Sequence, residues 1–232
     1  MTPEVLRFVA RVLGPPEVYG REVLEVGARN LNGSPRSVVE ALRPRSYLGV
    51  DAEPGNGVDV VLSAENLVAH FGPDRFDVVV ATELLEHVRH WRQAVDNLKG
   101  VLRPRGVLIV TTRSRGFSYH GFPYDFWRYE LDDAARIFAD LDVRVLEPDT
   151  TLPGVLLKAS KSEAWTACRL DDIHLWSILT RRVTPDIDEY SNDELRRLNR
   201  RALRRQNALT TLRSLVPPPA RKPVARLVKP LV

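Results

Sequence analysis

The sequence predicts an α/β fold: a seven-stranded, mostly parallel sheet flanked by helices, with an antiparallel last strand and a helical, basic C-terminal extension. Three observations lead there. Through the first 160 residues, short β-branched runs alternate with segments of helical period. Each helical segment begins near a cap or an N1 proline and ends near Gly or Pro, as at Gly72-Pro73 and Arg103-Pro104. Between the last two apolar runs lies only Glu147-Pro148-Asp149-Thr150-Thr151-Leu152-Pro153, which is turn chemistry, so those runs close the sheet as an antiparallel pair.

In chain order, a helix over Pro3–Leu13 precedes the first strand, Glu22–Val26, and a second helix runs from Ser34 or Pro35 to Leu42. Strands follow at Tyr47–Val50 and Val58–Leu62, then a helix over Glu65–Phe71 and a strand over Phe76–Ala81. A helix over Trp91–Leu102 leads to the strand Gly106–Thr111, and one over Leu131–Leu141 to the closing pair Val143–Glu147 and Gly154–Ala159. Beyond Lys161 the period is helical again, over Glu163–Leu179 and Asp193–Leu215, until Val216-Pro217-Pro218-Pro219 stops it. The expected division is a main domain over 1–161 and an extension over 162–232.

A chain of 232 residues, 44% hydrophobic, buries one substantial core and has length for an appendage. The single cysteine, Cys168, excludes an internal disulfide and fits a reducing compartment. The start Met1-Thr2-Pro3-Glu4 lacks the pattern of a secretory signal, and no apolar stretch is long enough to span a bilayer, so a cytoplasmic protein is expected. The net charge of +4 hides a split: residues 1–194 hold 23 basic and 30 acidic groups, a formal −7, whereas 195–232 hold eleven Lys/Arg and no acid.

The most informative stretch is Val23-Leu24-Glu25-Val26-Gly27, a buried strand that ends in an acid and a glycine and then opens a helix. Ligands of open α/β sheets bind beyond the carboxyl ends of such strands. The spacing of Gly27 and Gly33 does not make the G-x-G-x-x-G of a dinucleotide site, so NAD is disfavoured. A cofactor without phosphate needs one close-approach glycine and an acid to face a cationic group, and Gly27 and Glu25 supply them. Asp51, closing the next strand, is placed to accept two ribose hydroxyls. Glu25, Asp51, Glu65 and Glu83 fall at successive strand ends on one edge of the sheet.

With Leu24-Glu25-Val26-Gly27, Gly49-Val50-Asp51, Ser63-Ala64-Glu65-Asn66-Leu67, Phe76 to Glu83, and Leu98 through Gly106-Val107-Leu108, the chain resembles the class I, Rossmann-like S-adenosylmethionine-dependent methyltransferases over about residues 20 to 160. The resemblance implies S-adenosylmethionine as cofactor, held by Glu25, Gly27, Arg29, Asp51, Ala64, Glu65 and Thr82, with Ser63, Ala64 and Glu65 beside the adenine. It departs from the family where further loop glycines are usual and this chain has Arg29 and Leu31; Arg29 could meet the methionine carboxylate, or the loop could take another course using Gly33.

After the fourth strand comes Glu83-Leu84-Leu85-Glu86-His87. In a helical turn positions i, i+3 and i+4 share a face, so Glu83, Glu86 and His87 would converge beside the cofactor. The pattern resembles the metal signature of small-RNA 2′-O-methyltransferases and ubiquinone-pathway O-methyltransferases. That resemblance implies a divalent cation, Mg²⁺ or Mn²⁺ with Fe²⁺ and Zn²⁺ as alternatives, on Glu83, Glu86, His87 and His120. Without a metal, His87 or His120 would act as general base, with Glu83 beside them, or Glu86 and His87 would only cap and orient the turn.

Seven of the chain's seventeen aromatic residues lie between Phe117 and Tyr129. Phe117, Phe122 and Phe126 are expected to pack back on the sheet, leaving Tyr119, Tyr124 and Trp127, with Arg113, His120, Asp125 and Arg128, to face an acceptor. Rings beside hydrogen-bonding groups suit a saccharide or another polyhydroxy or aromatic alcohol, so O-methylation of a small molecule is expected. The stretch from His120 to Tyr129 is similar to one in actinobacterial saccharide and natural-product methyltransferases. Two alternatives are a nucleic-acid methyltransferase, against which the acidic body argues, and a non-catalytic relative of the fold. The paired arginines at 196/197, 200/201 and 204/205 form a cationic helix face. Its partner stripe would dock on the body or in a homodimer, or the face would meet a membrane surface or an anionic polymer.

Overall fold

A computed structural model describes residues 1–121 and 124–215, and the side chains of 1–121 and 124–211. Thr2 caps helix α1 (Pro3–Val12), with Oγ1 accepting from the Val5 N–H at 3.4 Å, and Val5, Phe8, Val9 and Val12 form its buried stripe. A one-turn helix α2 (Pro15–Val18), which the sequence pattern does not predict, leads into β1 (Glu22–Val26). Then come α3 (Arg36–Glu40), β2 (Ser46–Asp51), β3 (Val60–Val61), a 3₁₀ turn at Ala64–Asn66 running into α4 (Leu67–Phe71), and β4 (Phe76–Thr82).

A second 3₁₀ turn, Leu85–His87, precedes α5 (Trp91–Val101) and the long β5 (Leu102–Arg113). The chain continues through β6 (Trp127–Arg128), α6 (Leu131–Ile137), β7 (Asp142–Pro148), β8 (Gly154–Ser160), β9 (Leu175–Ser177), β10 (Arg182–Thr184) and α7 (Asn192–Leu215).

The main sheet has seven strands in the order β3-β2-β1-β4-β5-β8-β7. Strands β3, β2, β1, β4 and β5 are parallel, while β8 runs antiparallel to both its neighbours. Alternate residues feed two cores. Val23, Val78, Val80 and Ile109 meet α1 and α3, while Leu24, Val26, Val79, Ala81, Leu108 and Val110 meet α5 and α6. Strand order reverses between β1 and β4, so the crevice beyond their carboxyl ends is the position where this architecture binds ligands.

Residues 163–179 are not the expected helix. They form turns and β9, which pairs with both β10 and β6 in a second, three-stranded antiparallel sheet. Leu170, Ile173, Leu175 and Leu179 are buried in the same core as α5. Two of their backbone carbonyls are bound from outside: Arg92 donates to Leu170 O at 2.9 Å and to Ile173 O at 2.5 Å. Arginine donors thus satisfy acceptors that a helix would have satisfied internally. Helix α7 is present as expected, opened by a reciprocal cap in which Ser191 Oγ accepts from Glu194 N and Glu194 Oε2 accepts from Ser191 N. The stop at Val216-Pro217-Pro218-Pro219 lies outside the described residues.

Candidate active site

A cleft of about 730 Å³ opens at the reversal point and is lined by the ends of β1, β2, β4 and β5. Glu25 and Asp51 both face it, as do Gly27, Arg29, Ala64, Glu65, Thr82 and Glu83 from the expected set. The common rim follows from parallel register: Glu25 pairs with Gly49 and Val26 with Val50, so both acids lie at the same end of neighbouring strands.

Glu25 is buried, and its Oε2 accepts from Tyr47 OH at 2.8 Å while Oε1 accepts from Ser34 Oγ at 3.1 Å. Burial raises its carboxyl to about 7 even though those hydrogen bonds favour the ionised form. Asp51 accepts from Arg29 N at 3.1 Å on Oδ2 and from Glu53 N at 3.0 Å on Oδ1. Each oxygen keeps acceptor capacity for a diol. Gly27 has φ +82°, a backbone conformation that favours glycine, and a Cβ there would press on Leu84 Cδ1 at 3.2 Å. The Arg29 side chain packs against Gly55, and it is the Arg29 backbone that holds Asp51. Gly33 N–H donates to Asn30 Oδ1 at 2.9 Å in a loop that also lines the cleft.

The turn after β4 departs from the expected shared helical face. Glu83 has a left-handed backbone, φ +55°, rare for a residue with a side chain. Its N–H donates to Thr111 O at 2.8 Å, Thr111 Oγ1 donates to its Oε1 at 3.1 Å, and Arg113 pairs with its Oε2. Glu83 is therefore turned toward β5, away from the group formed by Glu86 and His87. Burial first, then the Glu86 charge, raise its carboxyl to about 7 against the pull of Arg113. Arg113 itself is buried, bridges Glu83 and Asp149 and lies 4.4 Å from the centre of the Phe117 ring.

Glu86, His87 and His120 each offer a ligand atom, all within 4.8 Å of one another. Tertiary hydrogen bonds bring them together: Phe126 N donates to Glu86 O at 2.7 Å, Trp127 Nε1 to Val88 O at 3.0 Å, and Tyr129 OH to Leu85 O at 3.2 Å. Glu86 is fully buried. Its Oε2 accepts from Thr112 Oγ1 at 2.8 Å, while Oε1 has no hydrogen-bond partner among the described residues and faces His120 Nε2 at 3.7 Å.

His120 Nδ1 lies 2.9 Å from Asp125 Oδ2, and Arg128 grips both Asp125 oxygens at 2.5 and 2.7 Å. Burial alone would lower the His120 pKa, but Asp125 and Glu86 outweigh it and raise it to about 9. Burial likewise opposes ionisation of Glu86, yet the neighbouring His120 and His87 hold it below the usual carboxylate range.

The aromatic segment departs from expectation in part: Phe126 packs into the core and Arg113 and His120 line the cleft as expected, but other side chains do not follow. Phe117 and Phe126 line the cleft, whereas Tyr119 and Trp127 are buried and Tyr124 stacks on Phe126 at 5.3 Å. Asp125 and Arg128 are buried behind His120 rather than facing an acceptor. Pairing of β6 with β9, invisible in the local pattern, turns these side chains inward. Phe122 lies outside the described residues. Tyr47, Ser34, Leu84 and the rim residues Met1 and Thr2 carry no local signal, since each contributes only through a long-range contact.

The family model described as a methyltransferase domain matches residues 1–180, and the chain belongs to that family. Its fold is that of solved methyltransferases. The Burkholderia thailandensis 1,6-didemethyltoxoflavin-N1-methyltransferase, solved with 1,6-didemethyltoxoflavin and S-adenosylhomocysteine, is similar with a TM-score of 0.53 at 15% identity, over 68% of this chain and 79% of that one. The magnesium protoporphyrin IX methyltransferase of Synechocystis PCC 6803, solved with S-adenosylmethionine, gives 0.50 at 14%, over 68% and 76%. The [4+2]-cyclase SpnF is as similar, 0.54 at 15%, over 68% and 80%, so the fold alone does not fix the reaction. No curated protein sequence matches the chain.

Proposed function

We propose that the cleft binds S-adenosylmethionine and that the protein transfers its methyl group to a hydroxyl oxygen of a saccharide or another small polyhydroxy or aromatic acceptor. The observation that carries this reading is the placement of Glu25 and Asp51 on the same rim of one cleft that His87 and His120 also line. The acids suit the ammonium and the ribose diol of the cofactor, Gly27 allows close approach, and Ala64 and Glu65 flank the adenine end.

Bound there, S-adenosylmethionine supplies an electrophilic methyl group; the acceptor oxygen forms the new C–O bond as the C–S bond breaks and its electron pair stays on sulfur. The chain must align the oxygen and remove its proton. Where no metal binds, His87 suits the second task. Its Nδ1 is 2.7 Å from Tyr124 O, so Nδ1 carries the hydrogen and Nε2 is left as the base. The Phe117 ring in the cleft offers an apolar face to a sugar or aromatic ring.

A divalent cation, Mg²⁺ or Mn²⁺, fits beside Glu86, His87 and His120. The orphaned Oε1 of buried Glu86 calls for a positive partner, and His87 Nε2 and His120 complete the donor set. There it would lower the pKa of a bound hydroxyl and fix its position, displacing the proton that His120 otherwise holds. Glu83 stands outside this set because Arg113 engages it.

The test is methyl transfer from isotope-labelled cofactor to a panel of saccharides and phenols. A product ether stable to alkaline hydrolysis supports the reading; label recovered only on nitrogen or on a carboxylate contradicts it.

A further inference from the structure

Helix α7 docks on the body with only its first half. Leu195 is buried, and Leu198 and Ala202 pack against the core, a stripe of three- and four-residue spacing. Leu209 lies seven residues beyond Ala202, on the same stripe, yet is 42% exposed, and Leu203 is 49% exposed. From Asn207 to Thr211 every residue is exposed, as are the six arginines at 196, 197, 200, 201, 204 and 205. A helix of 24 residues is about 36 Å long, and among the described side chains no hydrophobic residue of it beyond Ala202 packs against the core.

The charge of this element is one-sided. Beyond Glu194 there are eleven Lys/Arg and no acid, against a formal −7 for residues 1–194. The segment 195–232 has no Phe, Tyr or Trp, and its non-basic residues are mostly Leu, Val, Ala and Pro. Single-stranded nucleic acid is gripped by stacking on aromatic rings, which this segment lacks. Leucines bordered by arginines suit a bilayer boundary, where the apolar side chains enter the acyl region and the long arginine stems return the charge to the headgroups. No helix among the described residues is long and apolar enough to cross a membrane.

We propose that α7 is a docking surface for an anionic lipid bilayer, holding the methyltransferase body at the membrane surface. The proposal is independent of what the cleft methylates.

It is tested on the full chain by co-sedimentation with vesicles of equal parts phosphatidylcholine and phosphatidylglycerol, and with vesicles of phosphatidylcholine alone. Binding is expected to the anionic vesicles only, and to fall about tenfold or more in the variant Arg200→Gln/Arg201→Gln/Arg204→Gln/Arg205→Gln and again on raising the salt. Leu203→Ser/Leu209→Ser, which leaves the charge unchanged, should also weaken it several-fold. Cofactor affinity and thermal midpoint, unchanged in both variants, exclude misfolding as the cause. Failure to bind anionic vesicles at low salt overturns the proposal, as does equal uptake by neutral vesicles. So does an arginine-dependent dimer by light scattering without vesicle binding, which would make a second copy the occupant. Binding to a mixed-sequence RNA oligonucleotide without vesicle binding overturns it equally.

Discussion

His87 Nδ1 sits 2.7 Å from the carbonyl oxygen of Tyr124, a residue 37 positions along the chain. A carbonyl only accepts, so this contact fixes the tautomer and leaves the Nε2 lone pair toward the cleft. His87→Ala should therefore lower kcat by roughly 10²- to 10⁴-fold with little change in S-adenosylhomocysteine affinity. Steady-state rates beside calorimetric binding check this; equal losses in both would make the ring a structural element.

The metal reading is tested through Glu86. Manganese titrated into chelator-treated protein should give a bound-ion EPR signal, absent in Glu86→Ala, and chelation should lower activity until Mn²⁺ is restored. Activity that survives both exhaustive chelation and Glu86→Ala would contradict the metal reading.

Stability should fall as pH rises through neutrality because of Glu25. Its carboxyl is raised from 4.5 to about 7 in the folded chain, mainly by burial, so between those values the folded state holds a proton that the unfolded state has released. The stabilisation is complete below about 4.5 and is lost as pH rises through about 7. Glu25→Gln should flatten this slope in chemical denaturation and gain roughly 2–3 kcal/mol above neutral pH, since each tenfold change in proton affinity is worth about 1.4 kcal/mol. Its cofactor affinity should fall. Glu83, raised for the same first reason, leaves part of the slope in place.

Gly49 lies under the loop that follows Asp51. A Cβ there would come 2.2 Å from Gly57 O and 2.8 Å from Ala28 Cβ, contacts with backbone and a packed methyl that cannot yield cheaply. Gly49→Ala should cost about 2–3 kcal/mol by denaturant titration and loosen the Asp51 side of the cleft.

What can be read along the chain depends on how local the cause is. β1, β4 and the pair β7–β8 are specified by their own apolar runs and turns, and Glu25 and Asp51 by their places at strand ends, so these are legible. The 163–179 segment misleads because Leu170 and Ile173 have helix-like spacing, while Arg92, from a distant helix, takes the carbonyls that decide the outcome. The aromatic rings mislead for the same reason: β6 pairs with β9 nearly fifty residues later, which buries Trp127 and leaves Phe117 on the cleft. Grouping Glu83 with Glu86 presumes a continuous helix, which the left-handed backbone of Glu83 prevents.

The central claim, a cofactor held between two strand-end acids, is tested most directly by calorimetry of the full chain with S-adenosylhomocysteine. The account predicts one-to-one binding that weakens by roughly 10- to 100-fold in Asp51→Ala, the loss of a charge-assisted pair of hydrogen bonds. No heat of binding at millimolar ligand, or an affinity indifferent to Asp51→Ala, would contradict it.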